Sequence, residues 1–108
     1  MARNADHVAV VAVASEAGGV IGLASAGLTS DGSREVGILV EDHHQAQGVG
    51  RMMLDSLMGL LDPDEPVCAC SFPENRWLLG KLARFGTLTI HHDSGLIHAH
   101  VERRALLQ

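Results

Sequence analysis

Apolar positions along the chain follow two rhythms. Residues 8–14 and 20–28 are runs of Val, Ile, Ala and Leu separated by Glu16-Ala17-Gly18-Gly19, a turn signal that predicts a β-hairpin. After a second punctuation, Thr29-Ser30-Asp31-Gly32-Ser33, the residues Val36, Ile38 and Val40 alternate with Glu35, Gly37 and Leu39. That predicts a third strand with Glu35 and Gly37 on one face. The period then changes. Val49, Met52, Met53, Leu57, Leu60 and Leu61 recur at helical spacing, and Asp62-Pro63-Asp64 ends the helix. Residues 67–72 read as a short apolar strand. Pro73-Glu74-Asn75 opens a second helix expected to bury Trp77, Leu78, Leu82 and Phe85, with Gly86 as its C-terminal cap. Alternation returns over residues 87–91 and 96–101, around the turn His92-Asp93-Ser94-Gly95. The order β-β-β-α-β-α-β-β, without repeat or linker, predicts one α/β domain over residues 1–108.

Composition narrows the function classes. With 108 residues, 46% apolar, the chain reads as a soluble globular domain. Phe72, Trp77 and Phe85 are its only aromatic residues, so the core is built from small aliphatic side chains and a stabilising partner chain is expected. Tyrosine is absent, which removes the phenol as a general acid. Thirteen acidic residues against eight basic ones give a formal charge of -5, and no segment concentrates Lys and Arg, so nucleic acid is not an expected partner. No apolar stretch approaches the roughly 18 to 20 residues that span a bilayer, so no membrane partner is expected either.

Arg3 before the run 8–14, which closes on Ala12-Val13-Ala14, imitates a secretory signal, but Asp6 and His7 and the short apolar core argue against it. A cytoplasmic location is expected. Cys68 and Cys70 stand one residue apart in a strand, beyond reach of an ordinary disulfide, and read as reduced. Seven histidines, with His98 and His100 alternating on one strand and His91 and His92 on the next, permit a surface metal site. No convincing carboxylate set accompanies them, so no metal is assigned.

A strand that feeds a glycine-containing loop opening a helix is a general device for binding phosphate. Gln47 to Arg51 occupies such a junction, and on this physics alone it is either an anion site or an ordinary strand-to-helix turn. It has neither the lysine of a nucleoside triphosphate loop nor the third glycine of a dinucleotide turn.

Gln45, Gly48 and Gly50 match Gln/Arg-x-x-Gly-x-Gly/Ala, and here the sequence resembles the GCN5-related N-acetyltransferases. Pro73-Glu74-Asn75 and the helix ending Leu82-Ala83-Arg84-Phe85-Gly86 are similar to a second segment of that family. The resemblance implies a mixed, largely antiparallel sheet flanked by two helices. It also implies a site for acetyl-coenzyme A: pyrophosphate on the backbone amides of Gln45, Ala46, Gln47, Gly48, Val49 and Gly50, with Arg51 touching a phosphate or simply exposed. The pantetheine arm would lie between splayed strands around Leu39, Val40 and Cys68. Asn75 would contact the coenzyme arm or cap its helix. The implied reaction is direct acetyl transfer to a primary amine, on a small molecule or a protein lysine, with Glu35 as the base. A backbone amide of Val40 or Glu41 would polarise the carbonyl.

The sequence also departs from that pattern. Leu82 stands where many members carry a tyrosine acid, which leaves water, His44, Cys70 or an unassisted thiolate. Before the first strand stand only residues 1–7, where the full family fold places a strand and the two helices that wall the acceptor site. A homodimer or another subunit is expected to complete that wall, and a module that binds acyl-coenzyme A or a partner without transfer is the alternative.

Overall fold

Period-two alternation sorts each strand's side chains onto two faces, and the pairing of the strands decides which residues share a face. The structure, a computed structural model, describes residues 6–14, 18–41, 48–73 and 77–103. Its elements are β1 His7–Val13, β2 Val20–Leu28, β3 Arg34–Val40, α1 Val49–Leu60, β4 Val67–Ser71, α2 Trp77–Leu82, β5 Thr87–Asp93 and β6 Leu96–Glu102. The strands form a six-stranded sheet in the order β1-β2-β3-β4-β6-β5. Only β3 and β4 pair in parallel; all other neighbours are antiparallel. The expected mixed, largely antiparallel sheet with two helices is what the chain forms.

One face of the sheet is covered. Ala24 and Ala26 of β2, Val36 of β3, Val67 and Ala69 of β4 and Ile97, Ala99 and Val101 of β6 form a single core with Met53, Leu54, Leu57 and Met58 of α1 and Leu79 and Leu82 of α2. The alanines of β2 give α1 a shallow seat. The chain leaves α1 at Leu61, whose backbone is extended at φ -93° and ψ 156°. Pro63 cannot resume a helix, and the chain turns back with the Glu65 amide donating to the Asp62 carbonyl at 3.1 Å.

That turn secures Arg34, a buried charge on the covered face. Arg34, wholly buried, donates from Nε to Glu65 Oε2 at 3.0 Å, while Glu65 Oε1 accepts from the Asp62 amide at 3.2 Å. The Arg34 Nη1 and Nη2 atoms are buried and have no hydrogen-bond partner among the described residues. Glu65 therefore offsets the desolvation of a cation that the sheet has enclosed.

Three expectations need correction. The β5–β6 connection is a two-residue turn, Ser94 and Gly95 at φ 55° and 79°, rather than a four-residue one, so His92 and Asp93 belong to the strand. Positive φ at both central positions matches the twist of the flanking strands. The second helix stops at Leu82 and runs on only as a 3-10 turn over Ala83–Phe85. Gly86 is its C-cap as expected, in extended backbone at φ 165°, and glycine is needed there because a Cβ would run into the Glu102 carbonyl. Trp77 is 46% exposed instead of buried, and Leu79 takes the core position beside Leu82. The short α2 presents only one side to the sheet, and its first turn overhangs a gap described next.

Candidate functional site

The gap exists because β3 and β4 pair only at their first residues, Arg34 opposite Val67 and Glu35 opposite Cys68. Beyond that rung β3 stays with β2 up to Val40, while β4 stays with β6 up to Ser71. Each strand keeps its antiparallel neighbour and the sheet splits between them. The split is a cleft of about 970 Å³, at the upper end of the range for small-molecule sites.

Its lining runs through the sheet. At the helix end stand Gly48, Gly50 and Arg51 of the α1 start, with Trp77 and Lys81 of α2. In the middle lie Ile38 and Val40 on one side and Ser71 and Phe72 on the other, with Leu39 turned toward the open face. At the open face of the sheet come Leu23, Ser25, Gly37 and Cys70. Apolar walls in the middle and polar groups at both ends suit a long ligand with an anionic head.

The helix end of the cleft presents backbone amides and cations. Gly48, at φ 83°, is the N-cap of α1 in a left-handed conformation that glycine adopts cheaply, and its carbonyl takes the first helical bond, from the Met52 amide at 3.0 Å. Among the described residues no side chain caps the helix and no acidic residue stands in its first turn, so the first turn itself carries no negative charge against the helix dipole. Gly50 is required for another reason. A Cβ there would stand 2.8 Å from the Trp77 ring, so glycine lets α2 close over the α1 start. Arg51 and Lys81 add two cations, and no carboxylate is among the described lining residues of a chain whose net charge is -5.

The residues predicted from sequence distribute as follows. Leu39, Val40, Gly48, Gly50 and Arg51 line the cleft. Val49 packs against the core instead, leaving its backbone as the part nearest the cleft. Gln45, Ala46, Gln47, His44 and Asn75 lie outside the described residues. Glu35 is exposed on the open face, one rung below the split and outside the lining. Two residues along its strand, Gly37 lines the cleft, and a Cβ there would meet nothing within 4 Å. The Glu35 side chain thus has free space toward the cleft. Because the strands still pair at Cys68, the cleft-lining cysteine is Cys70. Burial first, then the charges of Glu35 and Asp31, push the Cys68 thiol up.

Sequence reasoning missed Lys81, Phe72 and the cleft role of Trp77. Trp77 and Lys81 share a helix face at i and i+4, a signal that was available. Phe72 follows the last residue of β4, where no periodicity speaks. Leu82, wholly buried, belongs to the core and not to the cleft.

No protein-family model matches the chain, and no curated protein matches it in sequence. Solved structures do match in fold. A Klebsiella pneumoniae protein assigned as an acyl-CoA N-acyltransferase superposes with a TM-score of 0.74 at 13% identity, over 92% of this chain and 74% of that one. A cAMP-binding acyltransferase from Mycobacterium smegmatis gives 0.73 at 20% identity, over 95% of this chain and 33% of that one. A variant of spermidine N-acetyltransferase from Vibrio cholerae gives 0.62 at 16% identity, over 92% and 67%. The fold is that of the acyl-CoA N-acyltransferases, as the Gln45-Gly48-Gly50 motif implied. Among the described residues, no helix is long and apolar enough to cross a membrane.

Proposed function

We propose that the chain uses acyl-coenzyme A, acetyl-coenzyme A first among candidates, as donor in acyl transfer to a primary amine. The observation that carries this reading is the split between β3 and β4, which joins a helix start with no acidic residue in its first turn to the open sheet face through an apolar passage. The pyrophosphate would sit on the amides of residues 45–50, with Arg51 and Lys81 beside it. Pantetheine would cross the sheet between Leu39 and Phe72. The thioester would then emerge at the open face near Gly37 and Cys70, where Glu35 has room to act as the base that frees the amine of its proton. A second subunit would supply the remaining wall of the acceptor site.

Calorimetric titration with acetyl-coenzyme A tests the site: micromolar to submillimolar binding is expected, and no binding at millimolar ligand removes the reading. Thiol release in the presence of amines and lysine peptides then tests transfer. Glu35→Gln is expected to slow release about 10²-fold, and an unchanged rate removes Glu35 from the chemistry. The absence of tyrosine favours one further reading, a module that binds acyl-coenzyme A without transfer. Tight binding with no thiol release for any acceptor would select it.

A further inference from the structure

The open face carries a contact that the acyl-transfer reading leaves unused. Cys70 of β4 stands directly opposite His98 of β6, and the Cys70 Sγ lies 3.0 Å from the His98 Nδ1. His91, opposite His98 on β5, stacks on its ring, with centroids 5.0 Å apart and planes 9° apart. His98 is thereby held between sulfur and a second imidazole, and in the tautomer that carries its proton on Nε2 its Nδ1 can accept from the thiol. Cys70 is exposed and lines the cleft. Among the described residues no three His, Cys, Asp or Glu side chains converge as metal ligands. The arrangement is instead that of a nucleophile, a base and a group that orients the base.

Resting on the acyl-donor reading above, we propose that Cys70 accepts the acyl group from the coenzyme thioester with His98 as its base, so that transfer passes through an S-acyl-Cys70 enzyme. His98 Nδ1 takes the Cys70 thiol proton as the sulfur attacks the thioester carbonyl. The carbonyl carbon's bond to the coenzyme sulfur breaks, and the leaving thiolate takes the proton from His98. An amine then attacks the Cys70 thioester, the acyl group moves to nitrogen, and the Cys70 sulfur leaves and recovers a proton through His98. No oxidant or further reactant enters. The pair also supplies the proton donor that a chain without tyrosine otherwise lacks. Cys68, two residues away on the same face, is a poor competitor: its thiol is pushed up by burial and by the charges of Glu35 and Asp31, and its strand is still paired at that rung.

The full chain is incubated with acetyl-coenzyme A and no amine, and its intact mass and peptide map are followed, with coenzyme binding measured in parallel by calorimetry. One acetyl group per chain is expected, on Cys70, removed by neutral hydroxylamine. Cys70→Ser abolishes it, Cys68→Ser leaves it unchanged, and His98→Gln slows its formation about 10²-fold. Binding without any hydroxylamine-labile adduct, or an adduct mapped to Cys68, overturns the acyl-enzyme while leaving the coenzyme site standing. If calorimetry shows no binding, S-acetyl-N-acetylcysteamine, which lacks the nucleotide, separates the two ideas. Labelling of Cys70 that depends on His98 then supports the dyad alone, and its absence overturns the dyad as well.

Discussion

The two faces of the sheet are made by the same strands and differ in almost everything else. The face under α1 and α2 holds Ala24, Ala26, Val36, Val67, Ala69, Ile97, Ala99 and Val101, each almost wholly buried. The opposite face carries Leu23, Leu39 and Val11, exposed by 40 to 72%, together with Glu35, Cys70, His91, His98 and His100. Alternation alone separates the two sets, and the lesson is that stability and reactivity have been assigned to opposite sides of one scaffold. The split between β3 and β4 is where they meet, because it lets a ligand pass from the helix start on one side to the reactive groups on the other.

The largest effect is expected at the buried charge of the covered face, Arg34. Glu65→Ala strands the buried Arg34 guanidinium and should lower unfolding free energy by about 3–5 kcal/mol in urea titration. Arg34→Met, which removes the charge and keeps the volume, should cost far less, and equal losses for the two variants would show that burial of the charge is not the cause. Next, Leu57→Ala on the covered face should cost about 2–5 kcal/mol, whereas Leu39→Ala on the open face should stay within about 0.5 kcal/mol while weakening acyl-coenzyme A binding. Comparable stability losses would erase the distinction between the faces.

Smaller still, Arg51→Ala and Lys81→Ala should each weaken acyl-coenzyme A about tenfold, with less salt dependence than the parent chain, at unchanged thermal stability. Loss of salt dependence in neither variant would move the anion site elsewhere. The smallest effect lies off both faces, in the β2–β3 turn. There the Thr29 hydroxyl and the Ser33 amide, the latter at 3.0 Å, donate to Asp31 and hold its carboxyl at about 2, below its ordinary 3.8. A carboxylate depressed in the folded state stabilises the fold above its unfolded pKa, near 3.9. That contribution fades as pH falls from about 4 toward 2. Thr29→Ala should raise the midpoint seen by NMR titration toward 3.8, and an unmoved midpoint would discard the hydroxyl as the cause.

Much of this was legible in the sequence. Val36, Ile38 and Val40 against Glu35, Gly37 and Leu39 announced a strand with one open face, and the 49–61 spacing announced a helix that buries Met53 and Leu57, though Met52 and Leu60 of that spacing are exposed and Leu61 lies just past its end. Gly48 before that helix and Gly50 in its first turn marked the end of the cleft where the helix starts. These features are local, since they follow from backbone periodicity and from what glycine permits within a few residues. The extra strand residues His92 and Asp93 were missed because two consecutive positive φ values, one at a serine, leave a weak local signal.

What tertiary structure alone decided is register. That β6 inserts between β4 and β5 and sets His98 opposite Cys70 is a matter of strand order and a one-residue choice of pairing, which no pattern within either strand encodes. The same holds for the release of β4 from β3 after a single pair of rungs, for the overhang of Trp77 on Gly50, and for the burial of Arg34 against Glu65 from a turn 31 residues away. Period and glycine are written in neighbouring residues; pairing partners are chosen by how the whole sheet buries its apolar face, so the contents of the cleft are known only once the chain has closed around them.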